Sequence, residues 1–573
     1  MGTEAERPAP RKRKRRATAS DGASARSASA GSHDPKPLYI AGVIVLLATL
    51  FAHLPAVDGD LLGWDDRRAL LDFTQWRGLG WSNIQWAFTT TAMAIYRPLT
   101  WLTYGLDYTL TGLDPYGFHR TNLVLHVALA GSLYWLLVRW LETVAPGRRK
   151  PWPAALCTLA WSVHPLRVQA VAWVSARADL LAGFFLVLAT VAWLGWTTRD
   201  DRRARVAWHA LYAASLLSKP VALGAPIAWW LTERWLQRRG VIRVRERSTA
   251  RSDRVLSFMV AGAGAVAILI AKGAWTPSKG LPALPASAAF VALHNAMFPL
   301  YTTLWPAKLG YYEPRYPFDP FAAPYVVGGI AALIAAASIW RVRRKRPGLV
   351  VAAVSYLALL GPMLGIVPFG YELVADRFSF VPALVWSVAL AAPLAEHLAT
   401  SSGRSANVAL AAPLATSSGR SANVARAVAV VVLVVLGFIT REQTQHWKTS
   451  RAFWKHNYEI DPQSGMANSG MGDAMLKDER VAEAAVYYRR ARELQPNYEP
   501  TLLGLAFVDL VQGRPQEAIP KLEKYLGSHP ENRSAKRYLS QAYAAVGRNE
   551  DADAVQQMID EEDRARGALP KER

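Results

Sequence analysis

Long apolar stretches recur from Leu38 to about residue 440, and nothing else limits the fold of this chain so tightly. They lie at 38–54, 121–140, 153–166, 178–197, 206–218, 220–236, 255–273, 323–340, 348–367, 379–397 and 426–440. A bilayer core of ~30 Å is crossed by about 20 apolar residues in a helix, so the pattern predicts an all-α polytopic bundle of about eleven spans. In lipid every backbone polar group must be bonded internally, which favours helices for runs of this length. The shorter runs are credible only as helices packed inside the bundle.

The loops between these stretches alternate in character. Arg148-Arg149-Lys150 and the basic segments 199–205, 238–254 and 341–346 fall on one side. The loop with Asp65-Asp66, then His164-Pro165, Ser218-Lys219, residues 275–320 and Asp376-Arg377 fall on the other. Lys and Arg collect on the cytoplasmic side of membrane proteins. The N-terminus is therefore expected in the cytoplasm, and an odd number of spans places the C-terminal region outside. The net charge of +22 (Lys+Arg 66, Asp+Glu 44) sits largely in these short loops and reads as topology, so no nucleic-acid partner is implied. Residues 1–37 carry Arg11-Lys12-Arg13-Lys14-Arg15-Arg16 and then Ser, Ala and Gly, the composition of a disordered cytoplasmic tail. No small-residue cleavage site follows the first span, which reads as an uncleaved anchor. The single cysteine, Cys157, lies inside an apolar stretch, so disulfides do not staple this chain. High Ala and Arg content leans toward a bacterial source, hence a multi-pass protein of the inner (plasma) membrane.

Residues 38–440 are expected to form the membrane domain. Within it the segment Leu398 to Ala409 recurs almost at once as Leu414 to Ala425, a duplicated flexible cytoplasmic loop with no assigned role. Residues 441–573 differ in kind. Pro462, Pro496 and Pro530 are 34 apart, as are Ala484, Ala518 and Ala552, and Gly513 and Gly547. That period signals tetratricopeptide repeats, about three of them over 456–560, with Tyr487, Tyr488, Leu494, Leu503, Leu522, Tyr525 and Tyr543 filling the helix pairs. Such repeats point to a protein partner without naming it.

The outward loops hold the chemistry-bearing residues. Asp65 and Asp66 are adjacent carboxylates just past the first span, suited to general-base work on a hydroxyl or to holding a cation against a phosphate. A solvated, helix-capping turn is the bland alternative for the pair. Arg97, Arg177, Lys219 and Arg377 stand at span edges beside His119, His164, Asp179 and Asp376. Charges at such edges cost free energy unless paired or wetted. Converging cations suit a lipid-linked phosphate, Arg as a planar fork and Lys as a point charge. Snorkelling and helix-edge ion pairs explain any one of them equally well, and for each His a structural bond is the stronger reading.

Taken together, Trp64-Asp65-Asp66, Tyr96-Arg97-Pro98-Leu99, Gly117-Phe118-His119 with Asn122 and His126, His164-Pro165, Val171 with Arg177-Ala178-Asp179-Leu180-Leu181, Ser218-Lys219 and Ala375-Asp376-Arg377 resemble a known family. The chain is similar, over roughly residues 38–560, to the transmembrane and tetratricopeptide-repeat-containing protein O-mannosyltransferases and their bacterial relatives, membrane glycosyltransferases of the GT-C class. It departs at Arg167 and Gln169, where the family has His and Glu, at Pro220, where Glu is common, and at Phe378-Ser379-Phe380, where the family is richer in tyrosine. These departures bear on the sugar and phosphate contacts. The resemblance implies an inverting, metal-optional transfer that admits a divalent cation without requiring one. A polyprenyl-phosphate sugar is the donor, and a protein or glycan hydroxyl the acceptor. Asp65 or Asp66 is the implied base, and Arg97, Arg177, Lys219 and Arg377 are the implied phosphate ligands. The competing classes are a non-catalytic membrane-anchored scaffold and a transporter. Convergence of the loop carboxylates and cations on one place separates an enzyme from a scaffold, and a transporter requires mid-span charges and inverted halves.

Overall fold

The computed structural model describes residues 2, 35–145, 151–243, 247–274, 289–312, 319–365, 374–400 and 419–567. The basic six-residue run of the tail, the Arg148-Arg149-Lys150 loop and most of the duplicated 398–425 segment lie outside the described residues. The chain is helical throughout. The one ladder among the described residues is a two-residue antiparallel pairing of Tyr311 with Ala375 and Tyr312 with Val374.

In the membrane region the helices are α1 (Lys36–His53), α2 (Trp81–Thr89), α3 (Pro98–Thr111), α4 (Pro115–Val144), α5 (Pro151–Ser162), α6 (Val168–Ala172), α7 (Arg177–Arg199), α8 (Arg202–Ser218), α9 (Ala225–Arg238), α10 (Arg247–Ala274), α11 (Ala289–Leu304), α12 (Ala323–Val342), α13 (Pro347–Leu360), α14 (Leu384–Thr400) and α15 (Gly419–Gln445). Their starts follow local chemistry. Asp114 accepts from the Tyr116 amide ahead of α4, and Asp201 accepts from the Arg203 and Ala204 amides ahead of α8. Pro occupies the first turn of α3, α4, α12 and α13, where its missing N–H costs nothing.

Six helices among the described residues are long and apolar enough to cross a membrane: Lys36–Asp58, Pro115–Val144, Val174–Arg199, Ser248–Ala271, Ala323–Val342 and Arg426–Gln445. The other five expected spans are also helices, but shorter. At 1.5 Å per residue, the 12 residues of α5 reach only ~18 Å, short of a bilayer core. A count of eleven crossings is therefore not established. Two features went unexpected. Helix α11 occupies part of the 275–320 segment read as loop. Between α5 and α7 the chain stays inside the bundle, and every residue from 161 to 183 is buried.

The C-terminal part forms helix α16 (Ser450–Ile460) and three helix pairs. These are α17 (Gly465–Lys477) with α18 (Val481–Leu494), α19 (Pro500–Val511) with α20 (Pro515–Leu526), and α21 (Arg533–Ala545) with α22 (Asn549–Gly567). The turns within the pairs carry residues at positive φ: Glu479 (61°), Gly513 (73°) and Gly547 (79°), again 34 apart. Glu479 thus occupies the left-handed position that glycine fills in the next two repeats. Ala484, Ala518 and Ala552 are buried at the crossings, and Tyr488 and Leu522 are fully buried. The solenoid is not detached. One continuous apolar core runs from Ala41 and Val45 of α1 through Trp447 to Phe453, Trp454 and Tyr488.

Candidate functional site

The Asp65-Asp66 turn is set by a pile of aromatic rings. Trp64 stacks on Trp173, with centroids 4.6 Å apart and planes 1° from parallel. It also meets Phe453 at 5.8 Å and Trp454 at 5.9 Å, both on the first helix after the bundle. The Gly63 amide donates to Ser450 Oγ (2.7 Å), and the Asp60 amide to the Lys448 carbonyl (2.7 Å). Arg68 pairs with Glu531 at 3.0 Å, and Arg67 donates to Ser534 Oγ at 3.4 Å. The turn is thus held from one side by the buried 161–183 segment and from the other by the repeats.

The two carboxylates have different surroundings. Asp66 is fully buried and accepts three hydrogen bonds, from the Leu62 amide (3.1 Å), the Ser175 amide (2.7 Å) and Ser175 Oγ (2.5 Å). Burial still raises its pKa to about 6, against the pull of those bonds. Asp65 is half-buried and accepts no hydrogen bond from the described residues. Burial raises its carboxyl as well, opposed by the charges of Arg377, Arg97, Arg68 and Lys219. Successive side chains diverge, and here one carboxylate is tied to the scaffold while its neighbour faces four cations.

Those cations come from separate parts of the chain. Arg97, at the start of α3, lies with its guanidinium carbon 4.8 Å from the Trp101 ring centroid and donates to the Ser175 carbonyl at 3.4 Å. Its Nε and Nη2 are buried and find no acceptor among the described residues. Arg377 lies over the Trp173 ring at 5.0 Å, and its amide donates to Gln169 Oε1 at 2.8 Å. Lys219 reaches both oxygens of Asp179, at 2.9 and 2.8 Å. Burial lowers the Lys219 pKa, with Asp179 pulling it back. Arg68 is the fourth, already shared with Glu531.

Other residues singled out in the sequence lie apart from this focus. Arg177 is fully buried and its guanidinium is occupied. It pairs with Asp107 at 2.5 Å and donates to Asn122 Oδ1 (2.7 Å) and the Phe118 carbonyl (2.8 Å). His164 uses both ring nitrogens, Nδ1 accepting from the Leu166 amide (3.2 Å) and Nε2 lying 3.0 Å from the Thr303 carbonyl. His119 is buried with Nε2 3.3 Å from the Asp60 carbonyl, bracing the start of the Asp65 loop. Asp376 is buried and acts as the counter-charge to Arg167, which donates to Ser379 Oγ at 2.6 Å.

Sequence reasoning missed Ser175 and Glu531, and it singled out Gln169 only as a departure from the family pattern. Ser175 sits in an unremarkable apolar run, and the only signal was its place two residues before Arg177. Arg68 was visible beside the carboxylates, but its partner lies 463 residues away.

A tetratricopeptide-repeat family model matches residues 509–569. The mouse protein O-mannosyl-transferase TMTC4 is 32% identical over 168 residues, 27% of this chain and 22% of that protein. The Drosophila melanogaster protein O-mannosyl-transferase Tmtc2 is 32% identical over 178 residues, 28% of this chain and 18% of that protein. Human protein O-mannosyl-transferase TMTC1 is 35% identical over 103 residues, 18% of this chain and 11% of that protein. The matched stretch thus spans about a fifth or less of these relatives' length. They carry the name of the family that the sequence motifs resemble. No solved structure matches the chain. The protein is a membrane helix bundle followed by a tetratricopeptide-repeat solenoid.

Proposed function

We propose that this protein is an integral-membrane glycosyltransferase that moves a hexose, mannose foremost, from a polyprenyl-phosphate carrier to a hydroxyl of a protein or glycan on the outer face of the membrane. The observation that carries the reading is Asp65, a carboxylate without a hydrogen-bond donor of its own among the described residues, facing Arg377, Arg97, Arg68 and Lys219. The names of the relatives support the reaction class, and the one-sided basic loops support the orientation.

In this reading the acceptor O–H approaches the anomeric carbon from the side opposite the phosphate. The new C–O bond forms, the C–O bond to phosphate breaks, and the configuration inverts. Asp65 takes the acceptor proton. Arg97 and Arg377 receive the phosphate, with Lys219 beside them, its charge shared with Asp179. Asp66 positions the turn through Ser175 and Leu62. Arg177 acts at one remove, joining α3, α4 and α7 through Asp107, Asn122 and the Phe118 carbonyl. The repeats present the acceptor beside the turn that they help to hold.

The test is transfer of radiolabelled mannose from a synthetic polyprenyl-phosphate donor to outward-facing proteins of the source organism, using the purified full chain. Transfer that depends on Asp65 supports the proposal. If no hexose donor is used by the unaltered, folded chain, the scaffold reading takes its place.

A further inference from the structure

At the end of the bundle remote from Asp65, helices α9 and α10 leave an open groove of about 710 Å³. Helix α8 runs from Arg202 at this end to Ser218, next to Lys219, and α9 returns from Ala225 to Arg238. The groove therefore belongs to the end where the basic loops gather. Trp230 and Arg234, one turn apart on α9, form one wall; Arg251, Arg254, Val255, Phe258 and Met259 form the other. The latter recur at the three- and four-residue spacing of a single helix face.

Three guanidinium groups line the groove, none paired with a carboxylate among the described residues. Arg234 lies 5.5 Å over the Trp230 ring. Of the nearby carboxylates, Asp253 is already taken by Arg205 Nε (2.6 Å) and Trp196 Nε1 (2.9 Å), and Glu233 accepts from Gln237 Nε2 (3.2 Å). The rest of the lining is apolar, with Val255 50%, Phe258 45% and Met259 65% exposed. Arginines without a carboxylate partner beside exposed apolar side chains match a phosphate with an acyl chain, and match neither a free anion nor a neutral lipid.

We propose that this groove binds one anionic glycerophospholipid from the leaflet on the basic-loop side. Arg234, Arg251 and Arg254 hold its phosphate, and one acyl chain lies along Val255, Phe258 and Met259. The bound lipid bridges α9, which is joined to the Lys219 end of the bundle, to α10, which is largely lipid-exposed.

The experiment uses the full chain purified in a non-ionic detergent, titrated with dioleoylphosphatidylglycerol or dioleoylphosphatidylcholine and read by native mass spectrometry. One phosphatidylglycerol should be retained in preference to phosphatidylcholine. Replacing three arginines near a lipid phosphate should weaken that retention about tenfold or more in R234Q/R251Q/R254Q. The control R341Q/R343Q/R344Q removes the same charge from the end of α12 and should weaken it less than about threefold. Millimolar inorganic phosphate should not displace the lipid. Equal retention of the two lipids, equal loss in both triple variants, or displacement by phosphate would each overturn the site. If R234Q/R251Q/R254Q does not fold, a photoactivatable phosphatidylglycerol decides on the unaltered chain. Labelling within residues 251–259 supports the groove, and labelling confined to other segments refutes it.

Discussion

Asp65→Asn and Asp66→Asn should fail in different ways. Asp65 accepts no hydrogen bond from the described residues, so an amide there leaves the fold intact. It loses the charge and the carboxylate oxygen that take the acceptor proton in the proposed transfer. A general base is worth ~10²–10⁴-fold in rate, or about 3–5.5 kcal/mol of barrier. Asp66 accepts from Ser175 N, Ser175 Oγ and Leu62 N. An amide keeps one accepting oxygen and turns N–H donors toward the third partner, which is itself a donor. Hydrogen bonds to charged groups contribute ~1.5–3 kcal/mol each, so Asp66→Asn should cost about that much in local stability and lower the rate indirectly. Two measurements on each purified variant separate the cases: single-turnover transfer from a synthetic polyprenyl-phosphate mannose, and thermal unfolding followed by tryptophan fluorescence. The expected result is a D65N chain with unchanged Tm and at least a hundredfold slower transfer, and a D66N chain with a lowered Tm. A D65N chain that transfers at near the parent rate, or that is destabilised as much as D66N, would refute the assignment of roles.

Four further outcomes follow from the same geometry. Asp66 is protonated below about 6, where its bonds from Ser175 N and Leu62 N weaken, so transfer should fall as pH drops through that value; because its folded pKa lies above the ordinary 3.8, protonation of this group favours the folded state, and the lost rate should not be accompanied by unfolding when both are followed across pH 4–7. Arg97→Gln removes the buried donors that lack an acceptor and should slow transfer ~10²-fold with little change in Tm, whereas Arg177→Gln leaves Asp107 buried without its partner and should cost about 3–5 kcal/mol of stability, seen as poor yield and a lowered Tm. Glu531→Gln breaks a pair that is one-third exposed on each side, so it should shift stability by less than about 1 kcal/mol while raising KM for a protein acceptor more than for the lipid donor. Reporter fusions after residues 245 and 460 should give opposite signals, and matching signals would refute the proposed topology.

Much of the architecture was legible because it is periodic. Apolar runs mark the helices, and a 34-residue repeat of Pro, Ala and Gly marks the solenoid, even where Glu479 replaces the glycine of the turn. The candidate site was legible only as a set. The sequence placed Asp65, Arg97, Lys219 and Arg377 on one side of the membrane, and the fold brings their charges to bear on one another. It could not rank Asp65 over Asp66, because the deciding partner, Ser175, is 109 residues away from Asp66. Nor could it separate Arg97 from Arg177. Both precede helices in outward loops, but Asp107 and Asn122 converge on Arg177 only once α3 and α4 are folded together. Helix α11 was read as loop because polar His294 and Asn295 and then Pro299 interrupt its apolar residues, all three being buried once it is packed.

The charge balance of the site also accounts for the arrangement of its cations. A polyprenyl phosphate sugar is a phosphodiester with one negative charge, and the leaving polyprenyl phosphate is a monoester with up to two. Asp65 meanwhile gives up its own charge on accepting the acceptor proton. In the proposed transfer, negative charge therefore moves from Asp65 to the phosphate, and the total is conserved. Arg377, Arg97, Arg68 and Lys219 already act on Asp65 in the resting site. As Asp65 is neutralised, the same groups bear on the growing phosphate charge with no need to move, which is how fixed charges favour a transition state over a ground state. Burial raises the Asp65 carboxyl and the cations lower it. A carboxylate raised by burial is a stronger base than an unperturbed Asp, which suits proton transfer from a hydroxyl. Lys219 and Arg68 share their charge with Asp179 and Glu531, which limits how tightly the product phosphate is held. Arg97 has no such carboxylate among the described residues, so the largest change in its surroundings comes when a phosphate arrives.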